Sequence, residues 1–204
     1  IIETDGFEAD DVIGTLATRA AKQGMDVLIS TGDKDMAQLV NPHITLINTM
    51  NNSHMDAQGV VEKFGVPAER IVDYLTLIGD TSDNIPGVPK VGPKTAAKWL
   101  QEYGSLENLV RHAADIKGKI GDNFRDALEQ LPLSYKLATI VCDVELDQKP
   151  TDLKLQPPHT EQLHELYAEL EFRNWLKELD GHIIVEQDTD MKSESSPRRR
   201  PGSS

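Results

Sequence analysis

Between Gly79 and Gly92 the chain crowds Gly79, Pro86, Gly87, Pro89 and Gly92 into one short stretch, and the sequence has a different texture on either side of it. Proline fixes φ and removes a donor, while glycine adopts backbone conformations closed to other residues, so no regular element runs through such a stretch. Upstream, Val12, Ile13, Leu16, Ala17, Ala20 and Ala21 recur at helical spacing until Gly24. Residues 26–30 then form a β-branched apolar run between Gly24 and Gly32, and residues 44–48 form another. A short helical stretch at 36–40 and helices at 60–64 and 68–78 fill the intervals. This alternation predicts a parallel sheet covered by helices. Downstream the pattern is helical only, over 94–103, 105–114, 122–130 and 133–140. Residues 144–146 and 153–155 read as short extended pieces, and 159–179 as a helix bent near Glu171.

The expected organisation is therefore an α/β domain over residues 1–84, an all-helical subdomain over 85–142, and a return segment over 143–185 that packs back on the first domain. Residues 186–204 are polar, end in Ser, Pro, Arg and Gly, and have nothing to bury; they read as a disordered linker or tail. No apolar run approaches the length of a membrane span, and residues 1–6 lack a secretion pattern, so a cytoplasmic location is expected. The lone Cys142 follows the apolar run 138–141 and reads as a buried structural thiol. A start at Ile1 rather than Met suggests a piece of a longer protein.

A net charge of -13 argues against a polyanionic partner. Its distribution argues otherwise. Residues 1–85 hold 5 Lys/Arg against 14 Asp/Glu, whereas residues 86–125 hold 7 against 4. An acidic part followed by a locally basic stretch suits a protein that gathers metal cations in one place and grips phosphates in another.

Three acidic clusters fall at element ends: Glu8, Asp10 and Asp11 opening the first helix, Asp33 and Asp35 after the first strand, and Asp80 and Asp83 in the glycine-proline loop. For the first cluster alone, complementing the helix dipole is a sufficient account. Asp33 and Asp35, however, lie just past the carboxyl end of a predicted parallel strand, where open α/β sheets place their sites. So many carboxylates aimed at one point are tolerable only when divalent cations neutralise them. Oxygen-only ligands select hard ions such as Mg²⁺ or Mn²⁺ over zinc. Two such ions side by side can activate water and stabilise the leaving oxygen of a phosphodiester.

Residues 85–96 carry the phosphate signal. Gly87 and Gly92 permit close backbone approach, Pro93 suits the first helical position, and the N–H groups at a helix start form an anion site to which Lys94 and Thr95 add a cation and a hydroxyl. A plain helix-helix turn is the competing account of this segment. Trp99, Leu100 and Tyr103 read as core rather than as base-stacking residues.

Taken together, Glu8-Ala9-Asp10-Asp11, Gly32-Asp33-Lys34-Asp35, Gly79-Asp80-Thr81-Ser82-Asp83-Asn84 and the hairpin from Pro86 to Ala96 resemble the 5′-to-3′ exonuclease domain of bacterial DNA polymerase I, within the flap endonuclease superfamily. Leu133 to Ile140 extends the resemblance, which covers about residues 2–180. It implies a PIN-like (Rossmann-like), mostly parallel sheet, incomplete at its N-terminus, followed by a helix-hairpin-helix region. It implies Glu8, Asp10, Asp11, Asp33, Asp35, Asp80 and Asp83 as carboxylates for two Mg²⁺ or Mn²⁺ ions, with Asp11, Asp33 and Asp35 catalytic. Gly87, Val91, Gly92, Lys94 and Thr95 would contact DNA, and carbonyls near Gly87, Val88 and Val91 would hold K⁺. The implied partner is duplex DNA with a 5′ flap or nick, read without sequence preference, and a polymerase domain is expected downstream. Members of this family begin with further strands bearing acids and an arch that admits the 5′ end, and these have no counterpart here. Two readings follow: a two-metal nuclease, or a DNA-binding fragment that grips phosphates without cutting.

Overall fold

The structure, a computed structural model, describes residues 1–181. The expectation for residues 186–204 lies outside them. The chain divides into two compact units, Ile1–Leu153 and a second beginning at Lys154.

In the first unit, helix α1 (Ala9–Lys22) leads to strand β1 (Val27–Ser30), a 3₁₀ turn (Asp35–Leu39), strand β2 (Ile44–Asn48) and strand β3 (Ser53–Met55). Strand β1 pairs parallel to β2 with Val27 opposite Ile44, and β2 pairs antiparallel to β3 with Leu46 opposite Met55. The two predicted strands are thus present as a parallel pair. The short β3 escaped the sequence reading because Ser53-His54-Met55 has neither a β-branched run nor apolar alternation. Among the described residues, β1 is hydrogen-bonded to one neighbour only, and Leu28 lies exposed on it.

Helix α2 (Ala57–Phe64), capped by Asp56 and closed by a left-handed Gly65, precedes a 3₁₀ turn (Ala68–Arg70) and helix α3 (Ile71–Ile78). Ile71, Leu75 and Leu77 are almost wholly buried, so α3 is wrapped on several sides. It packs on α4 (Pro93–Tyr103), on α7 (Leu131–Ala138) and on the 3₁₀ turn after β1. Helices α5 (Leu106–Arg111) and α6 (Gly118–Ala127) complete the helical part. Trp99 is buried edge-on against Phe124, ring centroids 5.4 Å apart, which makes it core as expected. The helix expected over 122–130 instead runs from Gly118 to Ala127, and a Cβ at Gly121 would meet Ile116 O at 2.0 Å, so that glycine permits a backbone contact inside a helix.

The chain returns to α1 immediately after α7. Thr15 Oγ1 accepts from Val144 N (3.1 Å), Arg19 Nη2 donates to Val144 O (2.7 Å), and Gly14 lies against Ile140 and Cys142. Val144 is buried by these contacts, and no strand forms at 144–146 or 153–155; a 3₁₀ turn, Pro150–Asp152, follows. Cys142 is half-buried rather than enclosed. In the second unit, helix α8 (Thr160–Glu169) precedes Glu171 at φ 55°, which breaks the helix where a bend was expected, and Tyr167, Phe172 and Trp175 cluster with centroids 4.8 to 6.3 Å apart.

Candidate metal centre and nucleic-acid interface

The parallel strand β1 delivers the first loop of the site. Beyond Ser30, Asp33 N donates to Thr31 Oγ1 (2.9 Å) and Asp33 Oδ1 accepts from Asp35 N (2.9 Å), so Asp33 turns the chain into the 3₁₀ turn with its own carboxylate. Gln38 fixes that turn from behind, donating to Ala138 O and accepting from Ile140 N, both at 3.0 Å. The end of α7, a hundred residues away in sequence, therefore holds the Asp35 loop.

The buried helix α3 delivers the second loop. Asp80 N donates to Ile85 O (2.8 Å) and Ile85 N to Asp80 O (2.7 Å), closing residues 80–85 into a loop. Asp80 Oδ1 accepts from Ser82 N (2.7 Å), and Asn84 sits at φ 56°. Gly79, at φ 74°, and Gly87 press backbone to backbone. A Cβ at Gly87 would lie 2.3 Å from Ile78 C, and one at Gly79 would lie 2.3 Å from Gly87 N. The close approach that Gly87 permits is thus to the end of α3.

These two loops bring Asp35, Asp80 and Asp83 together, with one carboxylate oxygen of each within 4.8 Å of the others. Asp80 is buried and Asp83 exposed. Lys34, which the sequence reading passed over, reaches into the same cluster: its Nζ bonds Asp80 Oδ2 and lies 3.9 Å from Asp35 Oδ1. The Lys34 ammonium holds the Asp80 carboxyl below the usual range. Asp35 moves the other way, pushed up to about 6 by burial first and by Asp33 next, with Lys34 opposing. Its Oδ1 is buried and has no hydrogen-bond partner. An orphaned carboxylate oxygen in an all-oxygen cluster fits a hard divalent cation.

The first acidic cluster splits. Asp10 is raised by burial and then by Asp33, Glu8, Asp11 and Asp83, which places it within electrostatic reach of the other two loops. Asp11 is bonded to backbone at both oxygens: Oδ2 accepts from Glu8 N (3.2 Å) at the start of α1, and Oδ1 accepts from Val141 N (2.8 Å) in the return segment. Glu8 is exposed at the N-cap.

The hairpin leaves Asp80 through Val88, whose N–H donates to Leu77 O (2.9 Å). Val88 and Val91 are buried, with Val91 N donating to Val88 O (3.0 Å), and Lys90 turns the chain at φ 68°. Asn123 of α6 donates to Pro89 O (2.8 Å), and Ser134 of α7 to Pro86 O (3.1 Å), so the hairpin is braced by its proline carbonyls. Gly92 caps α4, accepting from Thr95 N and Ala96 N at 3.0 Å, and a Cβ there would meet nothing within 4 Å. Lys94 is exposed in the first turn, and Lys98, one turn on, and Lys90 are exposed beside it. Gly92, Lys94 and the half-buried Thr95 thus share an open helix N-terminus, the arrangement that accepts an anion.

Known proteins resemble this chain over most of its length. The family model for the 5′-3′ exonuclease N-terminal resolvase-like domain matches residues 1–65, and that for the 5′-3′ exonuclease C-terminal SAM fold matches residues 66–161. DNA polymerase I of Pseudomonas aeruginosa is 51% identical over 187 residues, 86% of this chain but 20% of the relative. A 5′-3′ exonuclease of Aquifex aeolicus is 40% identical over 180 residues, 88% of this chain and 61% of the relative. The chain therefore spans only part of these relatives. Among solved structures, the phage T5 flap endonuclease determined with DNA and metal ions superposes with a TM-score of 0.64 at 20% identity, covering 69% of this chain and 58% or less of the T5 chains compared. That likeness is one of fold. With both family models matched in order and the relatives at 40–51% identity across most of its length, the chain belongs to the 5′-3′ exonuclease family of DNA polymerase I.

Proposed function

We propose that the chain hydrolyses DNA phosphodiesters as a 5′-to-3′ exonuclease and structure-selective flap endonuclease, acting on duplex DNA with a 5′ flap or nick, with two Mg²⁺ or Mn²⁺ ions as cofactors. The observation that carries this reading is the convergence of Asp35, Asp80 and Asp83 around an orphaned buried oxygen. Glu8, Asp10, Asp11, Asp33, Asp35, Asp80 and Asp83 are the proposed ligand set, and Asp11, Asp33 and Asp35 the proposed catalytic carboxylates. Bound ions of this kind supply Lewis-acid activation of water and stabilise the leaving oxygen.

The chain's own residues do the positioning. Asp33 and Asp80 shape the loops that present the carboxylates, and the backbone around Gly87, Val91 and Gly92, with Lys94 and Thr95, grips DNA phosphates without reading bases. Carbonyls of Gly87, Val88 and Val91 are the proposed K⁺ ligands. The proposed setting is the bacterial cytoplasm, on DNA, with a polymerase domain following in the same protein. A second reading, DNA binding without cleavage, draws on Asp11, whose two oxygens are both engaged by backbone donors.

Two measurements test this. Mg²⁺ or Mn²⁺ is expected to raise the melting temperature, since a ligand of the native state stabilises it by mass action, and Asp80→Asn with Asp83→Asn is expected to abolish the shift. A single-turnover assay on a 5′-flap duplex with Mg²⁺ separates the two readings: cleavage, even if slow, supports the nuclease, and binding without cleavage selects the second reading.

A further inference from the structure

The cation in the acidic cluster is one the chain supplies itself. Lys34 stands between Asp33 and Asp35 in the sequence, and its ammonium bonds Asp80 on the opposite loop while lying 3.9 Å from Asp35. It is thus a tie between the loop after β1 and the loop after α3. Asp80 has one oxygen bonded to Ser82 N and the other to Lys34, so each already carries one donor while this tie stands. Asp35 Oδ1, the orphaned atom, faces the same ammonium at a distance too long for a hydrogen bond.

A divalent ion at Asp35 and Asp80 would compete with the Lys34 ammonium for the same two carboxylates, since a positive charge at that distance opposes a second positive charge. The Lys34 side chain remains 38% exposed, so solvent is open to it once displaced. From this geometry we propose that Lys34 is a tethered counter-ion of the metal centre: it holds the two carboxylate loops together before metal arrives, and it gives up Asp80 when a divalent ion that Asp35 and Asp80 would hold enters. Lys34 is on this account a positioning residue, and ion entry is an exchange of one cation for another. The inference rests on the metal-centre reading above.

The exchange is read without catalysis. Titration calorimetry with Mn²⁺ on the chain and on Lys34→Met is expected to show roughly three- to tenfold tighter binding in the variant, because the competing charge is gone. The melting temperature of the variant in EDTA is expected to fall, because the tie between loops is lost. The unsubstituted chain gives an independent readout: amine labelling of Lys34, located by peptide mass spectrometry, is expected to increase when Ca²⁺ replaces EDTA. Ca²⁺ or Mn²⁺ binding with unchanged Lys34 labelling, or with unaltered or weaker Mn²⁺ affinity in Lys34→Met, overturns the exchange and leaves the metal centre standing. Absence of ion binding in both proteins overturns the metal centre and the exchange with it.

Discussion

Asp35 is the residue where burial and charge act most strongly against each other. Its carboxyl ionises at about 6 in the folded chain against the ordinary 3.8. The native state therefore holds the proton more tightly than the unfolded state does. The associated stabilisation is complete below about pH 4 and is lost as pH rises through 6. In EDTA at pH 7, Asp35→Asn is expected to stabilise the chain by up to about 2–3 kcal/mol and to flatten its stability profile between pH 4 and 6, as denaturant unfolding would show. Saturating Mn²⁺ should cancel or reverse that gain, because the asparagine is a poorer ligand. A stabilising effect that persists unchanged in Mn²⁺ would mean the ion does not use Asp35. The three carboxylates that converge were visible in the sequence because each lies in a loop or turn that follows a regular element. The roles of Lys34 and Asp11 were not, since they depend on partners 46 and 130 residues away.

At the level of elements, the two glycines of the hairpin have different tasks that the sequence presents alike. Gly87 lies against the end of α3, with no room for a methyl group, and Gly92 faces open space at φ -107°. Gly87→Ala is expected to destabilise the chain by several kcal/mol, about 3 or more, because the three atoms nearest its Cβ are all backbone. It should also loosen Asp80, and with it ion binding. Gly92→Ala is expected to change stability by less than about 0.5 kcal/mol, yet to weaken DNA binding if the backbone there meets a phosphate. Equal losses of stability in the two variants would contradict this division. Helix positions were legible from periodicity to within a few residues. The return after α7 was expected only from 143 onward, because the hydrogen bonds of Gln38, Asp11 and Thr15 to residues 138–144 leave no local pattern.

Across the molecule, an overall charge of -13 sets the chain against DNA at long range, while the stretch from 86 to 125, with 7 basic against 4 acidic residues, attracts it locally. Monovalent and divalent cations should consequently act in opposite directions. Added KCl displaces the lysines from phosphate: three contacts through Lys90, Lys94 and Lys98 predict a slope of log affinity against log salt of roughly -3, and Lys94→Ala should reduce it by about one. Millimolar Ca²⁺ at constant ionic strength competes for phosphate as well, but it also neutralises the carboxylates that would otherwise repel the backbone beside the hairpin. Within roughly a Debye length, about 8–10 Å, that repulsion is not screened by salt. The second effect is expected to win, so that Ca²⁺ tightens binding of a 5′-flap duplex in fluorescence anisotropy. Asp80→Asn with Asp83→Asn should bind more tightly than the unsubstituted chain in EDTA, and should gain nothing from Ca²⁺. If Ca²⁺ weakened binding in both proteins to the same degree, the ions would be acting on DNA alone and the acidic cluster would have no part in admitting it.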